Sequence, residues 1–372
     1  MFHTIITTAY IIPNVYVYLR ILKLFINKDH ILKYTIIYLL IFSIYPVSNL
    51  ISDGDAGFLT NILSNISDYI LPFYLYLFLS VLVFDILLLT NFLFKVVSPE
   101  RIKSKQFRIS SLSVIILFSI IVVIFGVINF NTIRTSEYNI ELRSSSLKIN
   151  HLKIAFVADF HLQEGTSSHF VERFVNRIEM IKPDIMIFGG DIIDGDRHNE
   201  NLDYIEKLLS TINPKYGVYA VLGNHEYYSQ QDKGSFFDKA GMYLLCDTVI
   251  NIDNSFNISG RYDSHFKERK NIKNLVKSAT DSIPLILIDH RPTEIEQVSK
   301  TTVDVQLSGH THNGQLFPIN LITRRVYELS WGYKQIRNTH FFVTSGIRLW
   351  GPPVRTTGKS EIMVIDITFT KQ

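Results

Sequence analysis

The chain has 372 residues, of which 47% are hydrophobic and only 19% charged, with a formal net charge of +3. This composition excludes a disordered or low-complexity protein, because such chains lack the apolar residues needed for a core. The single cysteine, Cys246, excludes an internal disulfide and a zinc site built from CxxC pairs. Basic and acidic residues balance after residue 131, which argues against a nucleic-acid partner, since phosphate binding needs an excess of Lys and Arg.

The first third of the chain contains four apolar stretches. Each is long enough to cross ~30 Å of hydrocarbon at 1.5 Å per helical residue. A buried core helix is the alternative for any one of them, but four in succession with short polar loops favour a membrane region. The sequence therefore predicts a transmembrane region over residues 1–133, with four helices at about 2–19, 34–52, 69–94 and 109–133.

The loops between these stretches differ in charge. The loops after the first and third stretches are basic, whereas the loop after the second contains Asp53, Asp55 and Asp68 and no Lys or Arg. Basic loops tend to stay in the cytoplasm. We therefore expect a multi-pass protein of the cell membrane whose remaining chain lies on the extracytoplasmic side. Asp85 in the third stretch is expected to be hydrogen-bonded within the bundle rather than to serve transport.

A second, soluble type of pattern begins near residue 151, after a polar linker arm over residues 134–150. Short apolar runs alternate with helical periodicity, which is typical of sheets covered on both faces. The sequence predicts a domain over residues 151–372 of α/β class, with two packed mixed β-sheets flanked by helices (an αββα sandwich). The main predicted strands are Leu152–Ala158, Asp184–Phe188, Tyr216–Leu222, Pro284–Ile288 and Thr302–Leu307.

Polar side chains with metal-binding chemistry follow each of these predicted strands. They are Asp159 and His161, Asp191, Asn224 and His225, His290, and His310 and His312. The carboxyl ends of such strands meet in one crevice, so these side chains are expected to converge. Asp, His and Asn without thiolates suit manganese, iron or zinc in a reactive site. If the backbone is extended, Asp159 with His161 and His310 with His312 each point to one side, and each pair would grip one ion.

The succession of these clusters resembles the calcineurin-like metallophosphoesterases over about residues 150–368. The motifs that carry the resemblance are DFH (159–161), GGDIID (189–194), GNHE (223–226), His290 in DHRP, and GHTH (309–312). The resemblance implies that Asp159, His161 and His312 hold one metal ion. It further implies that Asn224, His290 and His310 hold a second, that Asp191 bridges both, and that His225 donates a proton. The stretches GHTHNGQ (309–315) and WGPP (350–353) are most similar to the membrane-associated bacterial branch.

The predicted function is that of a metal-dependent phosphoric ester hydrolase with two divalent ions, Mn, Fe or Zn. A hydroxide bridging the ions would attack a phosphomonoester, phosphodiester or pyrophosphate bond in a lipid-linked or cell-envelope substrate. The expected partners are this substrate and the lipid bilayer. Alternatives are a UDP-diacylglucosamine-type pyrophosphate hydrolase of lipid A synthesis, a catalytically silent metal-binding scaffold, and a transporter or sensor formed by the helices.

Two arginines near the C-terminus are further candidates for the site. Arg348 and Arg355 flank Trp350 in a Gly/Pro-rich loop, where a guanidinium would contact substrate phosphate in a bidentate manner. A purely structural role is equally compatible with the sequence. Asp194 and Glu226 are expected to support the metal ligands or to be solvated carboxylates, rather than to bind metal themselves.

Overall fold

The structure, a computed structural model, describes residues 2–51, 57–144, 148–163, 166–194, 201–228, 234–280 and 283–371. The chain divides into two compact units. One is Met1–Ile128 with Gly351–Thr356, and the other is Asn129–Trp350 with Thr357–Gln372. The first unit is built from helices, and the second is an α/β unit with two sheets.

The helices of the N-terminal region are α1 (Phe2–Phe25), α2 (Ile31–Ile51), α3 (Phe58–Phe94), α4 (Pro99–Lys103) and α5 (Lys105–Asn131). Their shared core is small and rich in tyrosine, and it includes Val17, Tyr38, Tyr74, Leu77 and Val81. Many other large apolar side chains of α2, α3 and α5 are exposed, among them Leu40, Leu89 and Phe118. An apolar outer surface of this kind is what a lipid environment requires, because lipid is as apolar as these side chains.

Three helices of the described chain are long and apolar enough to cross a membrane, namely Lys28–Ile51, Ile62–Phe94 and Lys105–Asn131. The predicted number of four is therefore wrong by one, because α1 is not among them. The sequence of α1 mixes its apolar residues with Pro13, Asn14, Arg20 and Lys23. These residues dilute its apolar character, so length and helicity alone do not make α1 a membrane span.

Asp85 lies on α3 within the second of these three candidate spans. Its carboxylate accepts a hydrogen bond from Arg20 Nε at 2.7 Å and another from the Tyr16 hydroxyl. A charged side chain in a membrane helix is costly unless it is paired. The Arg20–Asp85 ion pair supplies that partner within the helical unit, as expected from the sequence.

The α/β unit contains twelve strands in the described chain. They are β1 (Ile133–Ser144), β2 (His151–Val157), β3 (Ile185–Phe188), β4 (Val218–Ala220), β5 (Tyr243–Leu244), β6 (Thr248–Ile252), β7 (Phe256–Gly260), β8 (Leu285–Ile288), β9 (Val305–Ser308), β10 (Gly332–Ile336), β11 (Thr339–Val343) and β12 (Ser360–Lys371). The helices are α6 (Ser168–Ile181), α7 (Leu202–Leu209), α8 (Asn224–Tyr228), α9 (Gly234–Lys239), α10 (Ile272–Leu275), α11 (Ile295–Val298) and α12 (Ile319–Val326).

The strands form two six-stranded mixed sheets, with the orders β1-β12-β2-β3-β4-β5 and β10-β11-β9-β8-β7-β6. In the first sheet β2, β3, β4 and β5 are parallel, and β12 runs antiparallel to β2. In the second sheet β11, β9, β8 and β7 are parallel, with β10 and β6 antiparallel at the edges. The predicted arrangement of two mixed sheets is therefore confirmed.

The main core lies between the two sheets. It joins Ile154 and Phe156 of β2 to Ile258 of β7 and Leu307 of β9. A second apolar cluster packs helix α6 against the outer face of the first sheet, and a third packs α10 and α11 against the second sheet. Because both faces of each sheet are covered, their central strands are apolar on both sides, which explains the continuous apolar runs in the sequence.

The five predicted main strands overlap β2, β3, β4, β8 and β9, but β1 lies where the sequence suggested a linker arm. This strand pairs in parallel with β12 along its whole length, at the edge of the first sheet. Ile140 and Leu142 are buried, whereas the intervening Glu141 is exposed. A strand exposed on one face alternates apolar and polar residues. The polar residues of β1 led to the prediction of a linker.

Candidate metal centre

The predicted ligands lie in loops that leave the carboxyl ends of central strands in both sheets. Backbone hydrogen bonds connect these loops directly. The Asp159 N–H donates to Gly190 O at 2.9 Å, the His161 N–H to Asp191 O at 2.9 Å, and the Gly309 N–H to His290 O at 2.8 Å. Segments that are far apart in the sequence are thereby held at fixed distances before any side chain is considered.

The backbone at the ligands is not extended, contrary to the expectation for the Asp-x-His and His-x-His pairs. Asp159, His161, Asp191, His310 and His312 all have φ between 45° and 70°. Few residues other than glycine adopt this left-handed region, and such strain concentrates at functional sites. The sharp turns also separate His310 from His312, so that these two side chains enter different clusters rather than gripping one ion together.

The structure gathers His and Asp side chains into three overlapping groups whose donor atoms lie within 4.8 Å of one another. The groups are Asp159, His161 and His312; Asp191, His290 and His310; and His161, Asp191 and His225. The first two groups are consistent with a dimetal site. Asn224 has a buried side chain whose Oδ1 has no hydrogen-bond partner in the described chain, as expected of an oxygen reserved for a cation.

Two glycines of the motifs allow the backbone to approach the carboxylates closely. A Cβ atom at Gly223 would lie 2.2 Å from Asp191 Oδ1, and one at Gly309 would lie 2.6 Å from Asp159 Oδ2. Both distances are shorter than any real contact with a Cβ atom. Only glycine fits at these two positions without moving a carboxylate, which gives the glycines of GNHE and GHTH a physical role beyond turn formation.

His290 is oriented for metal binding by its other ring nitrogen. Its Nδ1 donates a hydrogen bond to Gly189 O at 2.8 Å, so the neutral ring has its lone pair on Nε2. Nε2 lies 3.1 Å from Asp191 Oδ2, and the ring is completely buried. Two electron-rich atoms at this distance need a positive charge between them. Either a proton on His290 or a metal ion supplies it.

The pKa values of this centre show the same need for positive charge. Burial alone would lower the pKa of His290, but the negative charges of Asp191 and Asp159 outweigh it and raise the pKa to about 10. Burial raises the pKa of Asp159 to about 6. Burial acts in the same sense on Asp191, yet the adjacent His290 holds the pKa of this carboxyl well below its usual range. Buried acids and histidines arranged in this way fit divalent cations.

His225 lies beside the ligand groups at the start of α8. Its Nδ1 is hydrogen-bonded to Asp194 Oδ1, and its ring centroid is 4.7 Å from that of His161 and 6.0 Å from that of Trp350. Burial lowers the pKa of His225, but the hydrogen bond to Asp194 and the nearby carboxylates raise it overall. A histidine with a raised pKa is protonated at neutral pH to a greater degree and suits the role of an acid.

Glu226 contacts the backbone of the ligand loops through hydrogen bonds that the sequence alone did not indicate. Its fully buried carboxylate accepts hydrogen bonds from the N–H groups of Asp191 at 3.0 Å, Ile193 at 3.0 Å and Gly223 at 2.7 Å. It thus ties the loop that carries Asp191 to the loop that carries Asn224. The sequence suggested a supporting or solvated carboxylate here, because Asp191 and Asn224 fill the expected ligand positions, but it did not indicate these partners.

The two arginines predicted near the substrate differ in their surroundings. Arg348 donates its backbone N–H to Asp159 O at 3.0 Å, and its guanidinium lies over the rings of Phe130 and Phe170 at 5.1 and 4.9 Å. Burial lowers its pKa to about 10. Arg355 belongs to the helical unit, where its side chain is completely buried and its N–H donates to Gly126 O at 3.0 Å.

Comparison with known proteins places the α/β unit among the phosphoesterases. The family model described as calcineurin-like phosphoesterase matches residues 152–314. An uncharacterized metallophosphoesterase of Aquifex aeolicus is 32% identical over 243 residues, which cover 63% of this chain and 92% of that protein. A metallophosphoesterase of Helicobacter pylori, also uncharacterized, is 32% identical over 57% of this chain and 58% of its own length.

A relative from Danio rerio, named transmembrane protein with metallophosphoesterase domain, is 25% identical over 71% of this chain and 64% of its own length. Together with the clustered buried His and Asp side chains, these similarities define the class. The chain belongs to the calcineurin-like metallophosphoesterase family, and it is a metal-dependent hydrolase.

Proposed function

We propose that the protein is a membrane-anchored dimetal phosphoesterase. It would hydrolyse a phosphomonoester, phosphodiester or pyrophosphate bond in a lipid-linked or cell-envelope substrate. The observation that carries this proposal is the pair of adjacent ligand groups, Asp159, His161 and His312 beside Asp191, His290 and His310. Two neighbouring sites of this composition are suited to bind a phosphate between two cations.

The proposed ligand assignment uses all seven predicted residues. Asp159, His161 and His312 would hold one ion, and Asn224, His290 and His310 the other. Asp191 would be shared, and its position among the donors of two of the three groups supports that role. When bound, two ions of Mn, Fe or Zn would lower the pKa of a water molecule and neutralise the phosphate oxygens.

The remaining chemistry falls to side chains of this chain. His225 would donate a proton to the leaving oxygen, and its hydrogen bond to Asp194 supports that role by keeping the imidazole protonated and oriented. Arg348 would contact a substrate phosphate from beside Asp159. A contact from Arg355 would require its buried side chain to move.

We propose a membrane region up to residue 133 followed by a catalytic domain, with β1 adding residues 133–144 to that domain. The orientation expected from the charges does not change with three spans. Arg20 and Lys23 precede the first span, and Lys28 and Lys33 lie in its first two turns. Lys95, Arg101 and Lys103 lie between the second and third spans, so both basic groups would lie on the cytoplasmic side. The α/β unit, which follows the third span, would then be extracytoplasmic.

The activity test uses the full-length protein in detergent, loaded with manganese. It would be assayed against a phosphomonoester, a phosphodiester and a diphosphate diester, each in soluble and lipid-linked form. We expect metal-dependent hydrolysis of at least one substrate and its loss in Asp159→Asn. The matched control is Asp203→Asn, because the Asp203 side chain is 95% exposed. No hydrolysis of any substrate by a metal-loaded protein would favour the silent scaffold.

Orientation is tested by labelling single cysteines in intact cells with a membrane-impermeant reagent. The background is Cys246→Ser, with one cysteine placed at Asp55, Lys103 or Lys371. We expect labelling at Asp55 and Lys371 in intact cells, and at Lys103 only after lysis. The reverse pattern would put the catalytic domain in the cytoplasm and contradict the proposed orientation.

A further inference from the structure

An arginine beside the metal centre has no assigned role. Arg291 directly follows the metal-ligand candidate His290 in the loop after β8. Its Nε lies 2.8 Å from Asp263 Oδ2, and one of its terminal nitrogens lies 2.9 Å from His265 Nδ1. Asp263 is completely buried and also binds His265, at 2.7 Å. The guanidinium therefore forms an ion pair with a buried acid and lies next to the imidazole of His265.

The surroundings of Arg291 connect it to both sides of the metal centre. The hydroxyl of Tyr228 lies 2.8 Å from His265 Nε2, and Tyr228 ends the short helix α8 that begins with Asn224 and His225. On the other side, Arg291 directly follows His290, whose ring centroid lies 5.3 Å from that of His310. Arg291 is thus the chain neighbour of a residue in the second ligand group.

Two other arginines of the same loop region have a different environment. Arg261 and Arg269 both pair with Asp289 and Glu294, and their side chains are only 3% and 10% exposed. The Arg291 side chain is 19% exposed. Its second terminal nitrogen, Nη1, donates to no group in the described chain. Arg261 and Arg269 have the surroundings of structural ion pairs, whereas Arg291 keeps N–H donors for a ligand.

We propose that Arg291 binds a second anionic group of the substrate while the scissile phosphate occupies the metal centre. The substrate class that fits is a diphosphate, in which a second phosphate adjoins the first. A planar guanidinium held by a buried carboxylate matches two phosphate oxygens with little loss of side-chain freedom. This inference rests on the proposed phosphoesterase function. It narrows the proposed phosphomonoester, phosphodiester or pyrophosphate bond to the pyrophosphate bond.

Binding of non-hydrolysable ligands tests the proposal without relying on turnover. Calorimetry would compare methylenediphosphonate with methylphosphonate on the manganese-loaded, full-length protein at constant free Mn²⁺. In Arg291→Gln we expect the affinity for methylenediphosphonate to fall about 10-fold or more, the size of effect that loss of a charged hydrogen bond produces. Methylphosphonate affinity and metal content should not change, and Arg291→Lys should restore part of the loss.

The matched control is Arg269→Gln, which removes an arginine from the same region without altering Arg291. If Arg269→Gln reduced the preference for methylenediphosphonate as much as Arg291→Gln, the effect would come from the loop and the proposal would be wrong. Equal losses for both ligands in Arg291→Gln, or no loss, would also overturn it. A protein that hydrolyses nothing but keeps the Arg291-dependent preference would refute the proposed function alone.

The source of the diphosphate is distinguished by two substrates, a soluble nucleotide diphosphate diester and a lipid diphosphate in detergent micelles. We expect Arg291→Gln to lower kcat/KM for whichever of them the enzyme hydrolyses, with a much smaller effect on a monoester. A variant that lost monoester and diphosphate activity equally would contradict a role specific to the second phosphate.

Discussion

His225 and Asp194 form a hydrogen-bonded pair in which Nδ1 of the imidazole is bound to a carboxylate oxygen. The pair fixes the orientation of the ring and leaves Nε2 as the nitrogen available to a substrate. Because the Asp194 carboxylate also contributes to the raised pKa of His225, one contact accounts for both the geometry and the protonation expected of a proton donor.

If His225 protonates the leaving oxygen, its removal should matter most for poor leaving groups. We expect His225→Asn to slow hydrolysis of an alkyl ester by ~10² to 10⁴, the usual contribution of general acid catalysis. A nitrophenyl ester should be affected far less, because nitrophenolate departs readily without a proton. The measurement is kcat/KM across a series of esters with decreasing leaving-group pKa.

The control for this series is His169→Asn, which changes an exposed histidine on α6 and should leave all rates unaltered. Metal content should remain close to the wild-type value in both variants. A uniform loss across the ester series in His225→Asn, with metals retained, would assign His225 to substrate positioning instead.

Asp194→Asn should move the pH dependence of the reaction in a defined direction. The hydrogen bond and the negative charge of Asp194 raise the pKa of His225 against the opposing effect of burial. An amide keeps a hydrogen-bond acceptor but removes the charge, so the pKa of His225 should fall. The acid form is then lost at lower pH, and the alkaline limb of kcat/KM should shift towards acid. An unchanged limb would show that another group controls it.

Glu226→Gln should destabilise the metal centre without removing a proposed ligand. The carboxylate accepts hydrogen bonds from several buried N–H groups. The NH2 group of a glutamine would face some of these donors and could not accept their hydrogen bonds. We expect a loss of about 1 to 3 kcal/mol in the free energy of unfolding, typical of a buried polar group left without a partner. Thermal unfolding and metal affinity would be compared with the exposed control Glu179→Gln. Equal values in the two variants would contradict this supporting role of Glu226.

Asp304 gives a pH dependence of stability that is separate from the metal centre. Its carboxylate accepts the Leu285 N–H at 2.8 Å, and burial raises its pKa to about 6. Because the folded-state pKa lies above the unfolded value of about 4, its contribution to stability is present below pH ~4 and is lost as the pH rises through 6. In metal-free protein, Asp304→Asn should gain Tm relative to wild type over this range. If the curves of Tm against pH ran parallel for the two proteins, this role of Asp304 would be contradicted.

The sequence indicated the ligand side chains and the two-sheet class because both leave local signals. Apolar runs of strand length mark strands buried on both faces, and polar clusters directly after them mark their carboxyl ends. The half-exposed strand β1 lacked that signal, and its partner β12 lies more than 200 residues further along the chain. Long-range pairings of this kind depend on the whole fold and not on local sequence.

Other features of the site also needed the three-dimensional arrangement. His310 and His312 both have left-handed backbone and their rings enter different groups, which the local sequence did not indicate. Likewise, Glu226 and Arg291 contact segments that are distant from them in the sequence. The types of ligand side chain were therefore predictable from the sequence, whereas the partners of Glu226 and Arg291 were not.

The metal content of Asp191→Ala tests the dimetal centre most directly. The full-length protein would be loaded with manganese or zinc, freed of excess metal and measured by elemental analysis beside the exposed control Asp203→Ala. The wild type and the control should retain about two ions per chain. Asp191→Ala should lose more than one, because both ions would share this ligand. A wild type that retains no transition metal, or an Asp191→Ala protein that keeps both ions, would contradict the dimetal centre.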